Sequence, residues 1–207
     1  ETGSRFWIIL FKTILSKLYH WKIYVVGSVE YQYPNHLFQA GYFLDKKYYD
    51  ENTIDFKHLL LSEKNQSLLK DIQNSNSVGV HIRRGDYMTK QNLVIFGNIC
   101  TQKYYHDAIR IITEKVNDAV FYVFSDDISW VQTHLDIPNA VYVDWNTGES
   151  SIYDMYLMSS CKYNIIANST FSYWAARLNK KTNMVIDPSK WYNTFTPDIF
   201  PESWCGI

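Results

Sequence analysis

Cysteine is scarce in this sequence: only Cys100, Cys161 and Cys205 occur among its 207 residues. The three are odd in number and far apart, and none belongs to a Cys-x-x-Cys or Cys/His ligand pair. This pattern excludes a disulfide framework and gives no indication of a zinc site. We therefore expect three buried, reduced thiols.

A surplus of charge of one sign is also lacking. The 20 Lys and Arg residues are balanced by 21 Asp and Glu residues, for a formal net charge of -1. Generic nucleic-acid binding needs a basic surplus for its phosphate contacts, so no nucleic-acid partner is expected. A hydrophobic fraction of 46% excludes a disordered chain. The 17 Tyr and 7 Trp residues fit either an aromatic-rich core or a sugar or base site.

A long uncharged hydrophobic run is missing as well. Residues 6–26 are apolar, but Lys12, Lys17 and Lys22 interrupt them, whereas a transmembrane helix needs about 20 nearly charge-free residues. Their spacing predicts an amphipathic helix, which would lie on a membrane as a peripheral anchor, dock on a partner domain, or pack on this chain's own core. Residues 1–4, Glu-Thr-Gly-Ser, are typical of a cloning remnant.

Several catalytic signatures are absent. The chain contains no Walker-type Gly-x-x-x-x-Gly-Lys-Ser/Thr loop, no Gly-x-Gly-x-x-Gly after a strand, no Gly-x-Ser-x-Gly elbow and no His-Glu-x-x-His pair. These absences argue against a P-loop ATPase, an NAD enzyme, an α/β-hydrolase and a zinc peptidase.

From residue 77 onward, short apolar runs alternate with stretches of helical periodicity. The predicted strands are Val78–Ile82, Ala119–Phe124, Ala140–Val143, Tyr163–Ala167 and Asn183–Ile186. The predicted helices are Thr101–Val116, Ile128–Leu135, Ser151–Cys161 and Ser169–Leu178. This alternation predicts an α/β fold with right-handed crossovers and a five-stranded, Rossmann-like parallel sheet over residues 77–187.

The preceding region, residues 5–76, has a weaker pattern. Ser62 is predicted to cap a helix over Leu68, Leu69 and Ile72, which ends in the polar run 73–77. We therefore divide the chain into a shortened N-terminal region, 5–76, and a nucleotide domain, 77–207.

Polar clusters follow four of the predicted strands, at residues 81–87, 125–127, 144–146 and 168–172. The carboxyl ends of parallel strands meet at one edge of the sheet, where such folds bind ligands. The clusters therefore predict a single binding crevice.

The cluster at 168–172 opens a helix. Its free backbone N–H groups, together with the hydroxyls of Ser169, Thr170 and Ser172, predict an anion site, the alternative being plain N-capping. Residues 65–67 and 168–170 also match the N-glycosylation sequence, although a glycan at Asn168 would block the crevice.

Two adjacent arginines, Arg83 and Arg84, follow the first predicted strand. They would hold a diphosphate bidentately, with Asp126 or Asp127 orienting one of them, or they would form structural pairs with these carboxylates. Adjacent carboxylates that open a helix are more often a cap than a metal site, so no metal is expected.

Together these motifs resemble glycosyltransferase family 11, the α-1,2-fucosyltransferases, with the bacterial members most similar. The resemblance rests on residues 81–87 (His-Ile-Arg-Arg-Gly-Asp-Tyr), 124–127 (Phe-Ser-Asp-Asp), Asp154 and 168–174 (Asn-Ser-Thr-Phe-Ser-Tyr-Trp), and runs from about Gln39 to Trp204. It implies a GT-B-type fold with GDP-fucose in the C-terminal domain. It also implies inverting, metal-independent transfer to the 2-hydroxyl of a galactose-terminated glycan, without a cofactor.

The resemblance also implies residue roles. Arg83 would bind the diphosphate with Arg84 in support, and His81 and Asp154 would bind guanine. The full donor-binding set is expected to be His81, Arg83, Arg84, Ser125, Asp126, Asp154, Asn168, Ser169, Thr170, Phe171 and Ser172. Independently of the resemblance, the candidate catalytic residues are Arg83 and Arg84, which would stabilise the leaving group, and Asp86 as the base. A bacterial protein would be cytoplasmic or peripheral at the membrane, and an animal one would lie in the Golgi lumen.

One family feature is missing: the glycine-rich Gly-Gly-Leu-Gly-Asn-Gln segment does not occur. Residues 5–76 are also fewer than the roughly 100 that a second complete domain usually has. A truncated member is therefore expected, in which donor binding survives more readily than transfer. The alternative function is a catalytically impaired fragment that binds only the nucleotide sugar. An adhesion ligand formed by residues 84–86 (Arg-Gly-Asp) is a further alternative, but a crevice would make this tripeptide inaccessible.

Overall fold

A computed structural model describes residues 13–14, 17, 24–27, 38–41 and 55–207. The chain divides into two compact units, Glu1–Asp50 and Glu51–Ile207. In the first unit, β1 (Tyr24–Gly27) and β2 (Phe38–Gly41) pair in parallel. Most of the predicted amphipathic segment, 6–26, lies outside the described residues. Within the described ranges, no helix is both long and apolar enough to cross a membrane.

The second unit alternates strands and helices, as the sequence predicts. Its strands are β3 (Asn76–Ile82), β4 (Ala119–Ser125), β5 (Ala140–Val143), β6 (Tyr163–Ile165), β7 (Met184–Asp187) and β8 (Cys205–Gly206). Its helices are α1 (Glu63–Asn74), α2 (Lys90–Phe96), α3 (Gln102–Lys115), α4 (Ile128–His134), α5 (Ser151–Ser159) and α6 (Thr170–Arg177). A 3₁₀ helix, Gly85–Met88, links β3 to α2.

The strands form one parallel sheet in the order β5-β4-β3-β6-β7-β8. This is the doubly wound Rossmann order, and the direction of winding reverses between β3 and β6. The prediction of five strands was wrong by one, because β8 is a two-residue strand without an apolar run. It pairs with β7 through Ile186–Cys205 and Asp187–Gly206.

The boundary between helix α1 and strand β3 differs from the prediction. The Ser62 side chain caps α1 as expected, accepting the backbone N–H of Asn65 at 3.3 Å. The helix ends at Asn74, and Asn76 already begins β3, so residues 76–77 belong to the strand rather than to the end of the helix.

The sheet is buried on both faces, as parallel sheets with crossover helices are. On one face, β3 side chains such as Val80 pack with Ile112 of α3. On the other face, Leu68 and Ile72 of α1 pack with Phe124 of β4. Helix α1, which the sequence grouped with the N-terminal region, therefore belongs to the core of the second unit.

The three cysteines are free thiols. Cys161 is buried as expected, but Cys100 and Cys205 are only partly buried, which corrects the expectation of three buried thiols.

Candidate functional site

A cavity of about 550 Å³ opens at the carboxyl edge of the sheet, where the winding reverses. This is the position at which open parallel sheets bind ligands, and the volume suits a nucleotide-sized molecule. The residues lining it are His81, Arg83, Phe124, Ser125, Asp126, Ile128, Asp144, Asn146, Thr147, Gly148, Ser151, Asp154 and Phe171. We call this space the switch-point cavity.

His81 lies near the end of β3 and is only 5% exposed. Its ring centroid is 5.0 Å from that of Phe171, in the first turn of α6. Its Nδ1 has no hydrogen-bond partner within the described part of the chain. Burial, and then the nearby Arg83 charge, lower the pKa of His81 to about 3. The imidazole is therefore neutral near pH 7, with one ring nitrogen unused.

Asp154 lies in the first turn of α5 and is buried. Its Oδ1 accepts a hydrogen bond from Asn146 Nδ2 at 2.6 Å. Burial raises the pKa of Asp154 to about 7, and the Asn146 bond only partly offsets this rise. His81 and Asp154, which the sequence assigned to one crevice, thus line the same cavity.

Arg83 reaches the same cavity and forms ion pairs with two carboxylates. Its Nη1 lies 2.8 Å from Asp126 Oδ2, and its Nη2 lies 2.5 Å from Asp86 Oδ1. A guanidinium carries five N–H groups, so these two bonds leave donors for a ligand. The orientation of an arginine by Asp126 is therefore observed, while the binding of a diphosphate stays a prediction.

Arg84 is placed differently from Arg83. Its Nε donates to Asp127 Oδ2 at 3.1 Å, and its guanidinium lies 3.6 Å above the Trp130 ring. This guanidinium lines a second cavity of about 400 Å³, on the side of α2 and α3, and does not line the switch-point cavity. The hydrogen bond from Arg84 lowers the pKa of the Asp127 carboxyl group. These contacts give Arg84 a structural role, and because Arg83 and Asn168 line the same second cavity, its support of diphosphate binding stays a prediction.

Gly85 is required by the close approach of Asp126. A Cβ atom at this position would lie 2.4 Å from Asp126 Oδ2. The tripeptide 84–86 is thus no extended loop: Gly85 begins the 3₁₀ helix, and both charged neighbours are ion-paired.

The start of α6 only partly matches the predicted anion site. Asn168 Nδ2 donates to the carbonyls of Phe96 and Trp191, and Ser172 Oγ bonds to the backbone of Ala167. These two side chains are therefore occupied within the protein. Of the predicted donor-binding residues, the switch-point cavity contains His81, Arg83, Ser125, Asp126, Asp154 and Phe171, but not Arg84, Asn168, Ser169, Thr170 or Ser172.

Neither glycosylation sequence presents an accessible asparagine. Asn65 and Asn168 are both buried, and both amides are hydrogen-bonded. A glycan has no access to either side chain in this fold.

Asp86, the predicted catalytic base, lies beside the Arg83 guanidinium with its side chain 57% exposed. It does not line the switch-point cavity. Across residues 55–207 and the shorter described ranges, no three His, Cys, Asp or Glu side chains are grouped so that they could hold a metal ion.

Sequence reasoning missed two asparagines at this site. Asn146 follows β5 and contacts Asp154 directly, and Asn65 of α1 contacts Asn146. Asn146 belongs to a cluster that the sequence marked as polar. Asn65 gave no signal, because its partner is 81 residues away in the chain.

The fold is that of a Rossmann-like α/β protein with a cavity at the switch point of its sheet. The family described as Glycosyl transferase family 11 matches residues 9–207, so the chain belongs to this family. The resemblance inferred from the motifs is thereby confirmed.

Curated relatives agree with this assignment. The chain is 35% identical over 196 residues to an alpha-1,2-colitosyltransferase of Escherichia coli, covering 87% of this chain and 63% of the relative. It is 40% identical over 138 residues to the O-antigen biosynthesis glycosyltransferase WbnK of Escherichia coli, covering 65% and 46%. It is 28% identical over 163 residues to galactoside alpha-(1,2)-fucosyltransferase 2 of Pongo pygmaeus, covering 72% and 48%. The chain thus spans less than two thirds of the length of each.

Proposed function

We propose that this chain is the donor-binding half of a GT-B-type α-1,2-fucosyltransferase, which transfers fucose from GDP-fucose to the 2-hydroxyl of a galactoside. The reaction would invert the anomeric carbon and need no metal. The observation that carries the proposal is the single cavity that holds His81, Arg83 and Asp154 at the switch point of a family 11 chain.

The base would bind at the Asp154 end of the cavity. An ionised carboxylate accepts the N1–H and N2–H groups of guanine together, whereas adenine presents a lone pair at N1. A site built on buried hydrogen bonds discriminates strongly against a ligand that leaves them unpaired. The unused Nδ1 of the neutral His81 offers a further polar contact, and the Phe171 ring offers an apolar surface to the base.

The diphosphate would bind at Arg83. Cleavage of the fucose–diphosphate bond leaves negative charge on GDP, and preorganised donors stabilise such charge most effectively. Arg83 is held in place by Asp126 and keeps free N–H groups. The first turn of α6 borders the cavity through Phe171, and the positive end of its dipole would add to this charge. These positive groups are the basis for proposing a leaving group stabilised without a metal.

The acceptor hydroxyl must lose a proton, and Asp86 remains the proposed base. Its pairing with Arg83 places it next to the proposed diphosphate, although on the exposed side. A role as base requires the sugar to extend from Arg83 toward the 3₁₀ helix.

Two other functions have specific support. A colitosyl donor is favoured by the name of the E. coli relative at 35% identity. Donor binding without transfer is favoured because the proposed roles of the cavity residues all concern the nucleotide, and none concerns a galactoside.

The location in the cell is proposed by analogy with the relatives. The E. coli matches at 35% and 40% identity support a bacterial-type protein, either cytoplasmic or held peripherally at a membrane by residues 6–26. An animal-type protein would instead lie in the Golgi lumen.

The test is incubation of the purified chain with GDP-fucose and lactose, with NMR analysis of the linkage. Formation of an α-linked fucose on the 2-hydroxyl of galactose is the expected result. Calorimetric titrations of GDP, GDP-fucose and lactose run in parallel. Donor binding with no product would instead establish the binding-only function, and absence of donor binding would overturn the proposal.

A further inference from the structure

Asn65 of α1 is a polar side chain that is only 1% exposed, and both atoms of its amide are used. Its Oδ1 accepts Trp145 Nε1–H at 2.8 Å and Asn146 Nδ2–H at 3.0 Å. Its Nδ2 donates to Asn146 Oδ1 at 3.0 Å. Asn146 then donates to Asp154 Oδ1 at 2.6 Å. A continuous set of hydrogen bonds therefore joins Trp145, Asn65, Asn146 and Asp154.

The direction of every bond in this set follows from Trp145. An indole N–H is a donor only, so the atom of Asn65 that faces it must be the amide oxygen. The Asn65 nitrogen is then the donor to Asn146, and the atom of Asn146 that receives this bond must be its oxygen. The Asn146 nitrogen is left to face Asp154. The donor-only indole thus fixes both amide orientations.

Asp154 Oδ1 therefore accepts the Asn146 N–H, so it cannot act as a donor toward Asn146. Oδ2 makes no hydrogen bond within the part of the chain that the structure describes, and Asp154 lines the switch-point cavity. The carboxyl group is therefore held in one orientation with an unpaired oxygen available to a ligand.

We propose that Asn65 and Trp145, acting through Asn146, are positioning residues that hold Asp154 as a hydrogen-bond acceptor and thereby set the preference for a base with N1–H and N2–H donors. This inference rests on the proposed binding of a guanine nucleotide. It gives helix α1 an influence on which base the site prefers, although α1 contributes no side chain to the cavity lining.

The test is the isosteric change Asn65→Asp. A carboxylate has no N–H to give to Asn146, so its second oxygen would face Asn146 Oδ1 and should displace the Asn146 amide from Asp154. Two facing acceptors repel, and the Asp154 orientation is lost. We expect the ratio of GDP to IDP affinity, which reports the 2-amino group alone, to fall about tenfold, the value of one charge-assisted hydrogen bond. The affinity for ADP should stay within about twofold, because its diphosphate contacts are untouched.

Asn74→Asp is the matched control, since Asn74 is exposed on the same helix and the change adds the same charge. It should leave the GDP to IDP ratio unchanged. Trp145→Phe is the second variant: it removes the N–H that fixes the amide directions while keeping an aromatic ring, and we expect a smaller fall in the same ratio. It keeps the test decisive if a buried carboxylate at position 65 prevents folding.

The outcomes separate the two proposals. A wild-type protein without a preference for GDP over IDP and ADP overturns the guanine site and this inference with it. A clear wild-type preference that persists in a folded Asn65→Asp variant, or in Trp145→Phe when the first does not fold, overturns the positioning role and leaves the guanine site intact.

Discussion

The carboxylate of Asp126 lies 2.8 Å from the guanidinium of Arg83, which ties the loop after β4 to the loop after β3. The other oxygen of Asp126 accepts the backbone N–H of Arg84 at 2.9 Å. One carboxylate therefore holds both the Arg84 backbone and the Arg83 side chain of the loop after β3. This arrangement orients Arg83 before any ligand arrives, and preorganised charge is the most effective kind for stabilising a leaving group.

The two arginines should respond differently to mutation. We expect Arg83→Ala to weaken GDP binding by about a hundredfold or more, because a charge-assisted, bidentate contact to the diphosphate is lost. Arg84→Lys keeps its charge but loses the Asp127 bond and the packing on Trp130, so it should lower thermal stability more than GDP affinity. Calorimetric titration with GDP and a thermal melt of each variant measure both effects. Undiminished GDP affinity in Arg83→Ala would contradict the assignment.

Gly85→Ala tests the packing beneath Arg83. Its Cβ would lie 2.4 Å from Asp126 Oδ2, so Asp126 must move and release Arg83. We expect a loss of about 1–3 kcal/mol in unfolding free energy, typical of overpacking, together with weaker GDP binding. Gly206→Ala is the control, because its Cβ would meet only Asp187 Oδ2, at an ordinary 3.7 Å. Equal stability and GDP affinity in the two variants would show that the Asp126 contact is unimportant.

GDP binding should depend on pH through Asp154. Burial raises the pKa of Asp154 from 3.8 to about 7, so the free protein is protonated there below neutral pH, while guanine requires the ionised form. GDP affinity should therefore fall as the pH drops from 8 to about 6. The folding stability of the free protein should change with pH in the opposite direction to GDP affinity. The contribution of the raised Asp154 pKa to the free energy of unfolding is greatest below pH 3.8 and is lost as the pH rises through about 7.

Other groups in the cavity complicate this measurement and need a control. His81, Arg83, Asp126 and Asp144 also line the cavity. The pKa of His81 is about 3, so it stays neutral across this range, and the terminal phosphate of GDP titrates in every variant. Asp154→Asn should remove the part of the pH dependence that Asp154 causes. An identical pH profile in wild type and variant would refute the link.

Chelation tests the proposed independence from metal ions. We expect EDTA to leave GDP affinity and any transfer unchanged, because Arg83 and the α6 N-terminus supply the positive charge in this account. Activity or binding is measured before EDTA, after EDTA, and after addition of Mg²⁺ or Mn²⁺. A loss with EDTA that either ion restores would show that a metal takes part.

Much of the sheet could be predicted because β3 to β7 are short apolar runs between helical stretches. Strand β8 could not, since it has only two residues and no apolar run. Helix α2 was also missed. It has seven residues, and Asn193 satisfies its C-terminal carbonyls from about a hundred positions away, so the local sequence shows only the Thr89 cap.

The part of the site that could be predicted consists of polar side chains that directly follow strands in the sequence. His81, Arg83 and Asp126 were placed together because parallel strands bring their carboxyl ends to one edge, whereas Asp154 was assigned through the family resemblance. The packing of the Arg84 guanidinium on Trp130 could not be predicted, because no local sequence feature indicates it. Asn65 was missed for a similar reason. Its partners Trp145 and Asn146 are 80 and 81 residues away in the sequence, and a buried network of amides shows no sequence periodicity.

Base preference tests the central claim most directly. Calorimetric titration of the wild-type chain and of Asp154→Asn with GDP, ADP and UDP measures it without needing an acceptor or turnover. We expect the wild type to bind GDP well and ADP and UDP poorly, and the Asn variant to lose much of this preference, because an amide cannot accept two N–H groups with the strength of a carboxylate. A variant that keeps the wild-type ratio of GDP to ADP affinity would contradict the assignment of Asp154 to guanine.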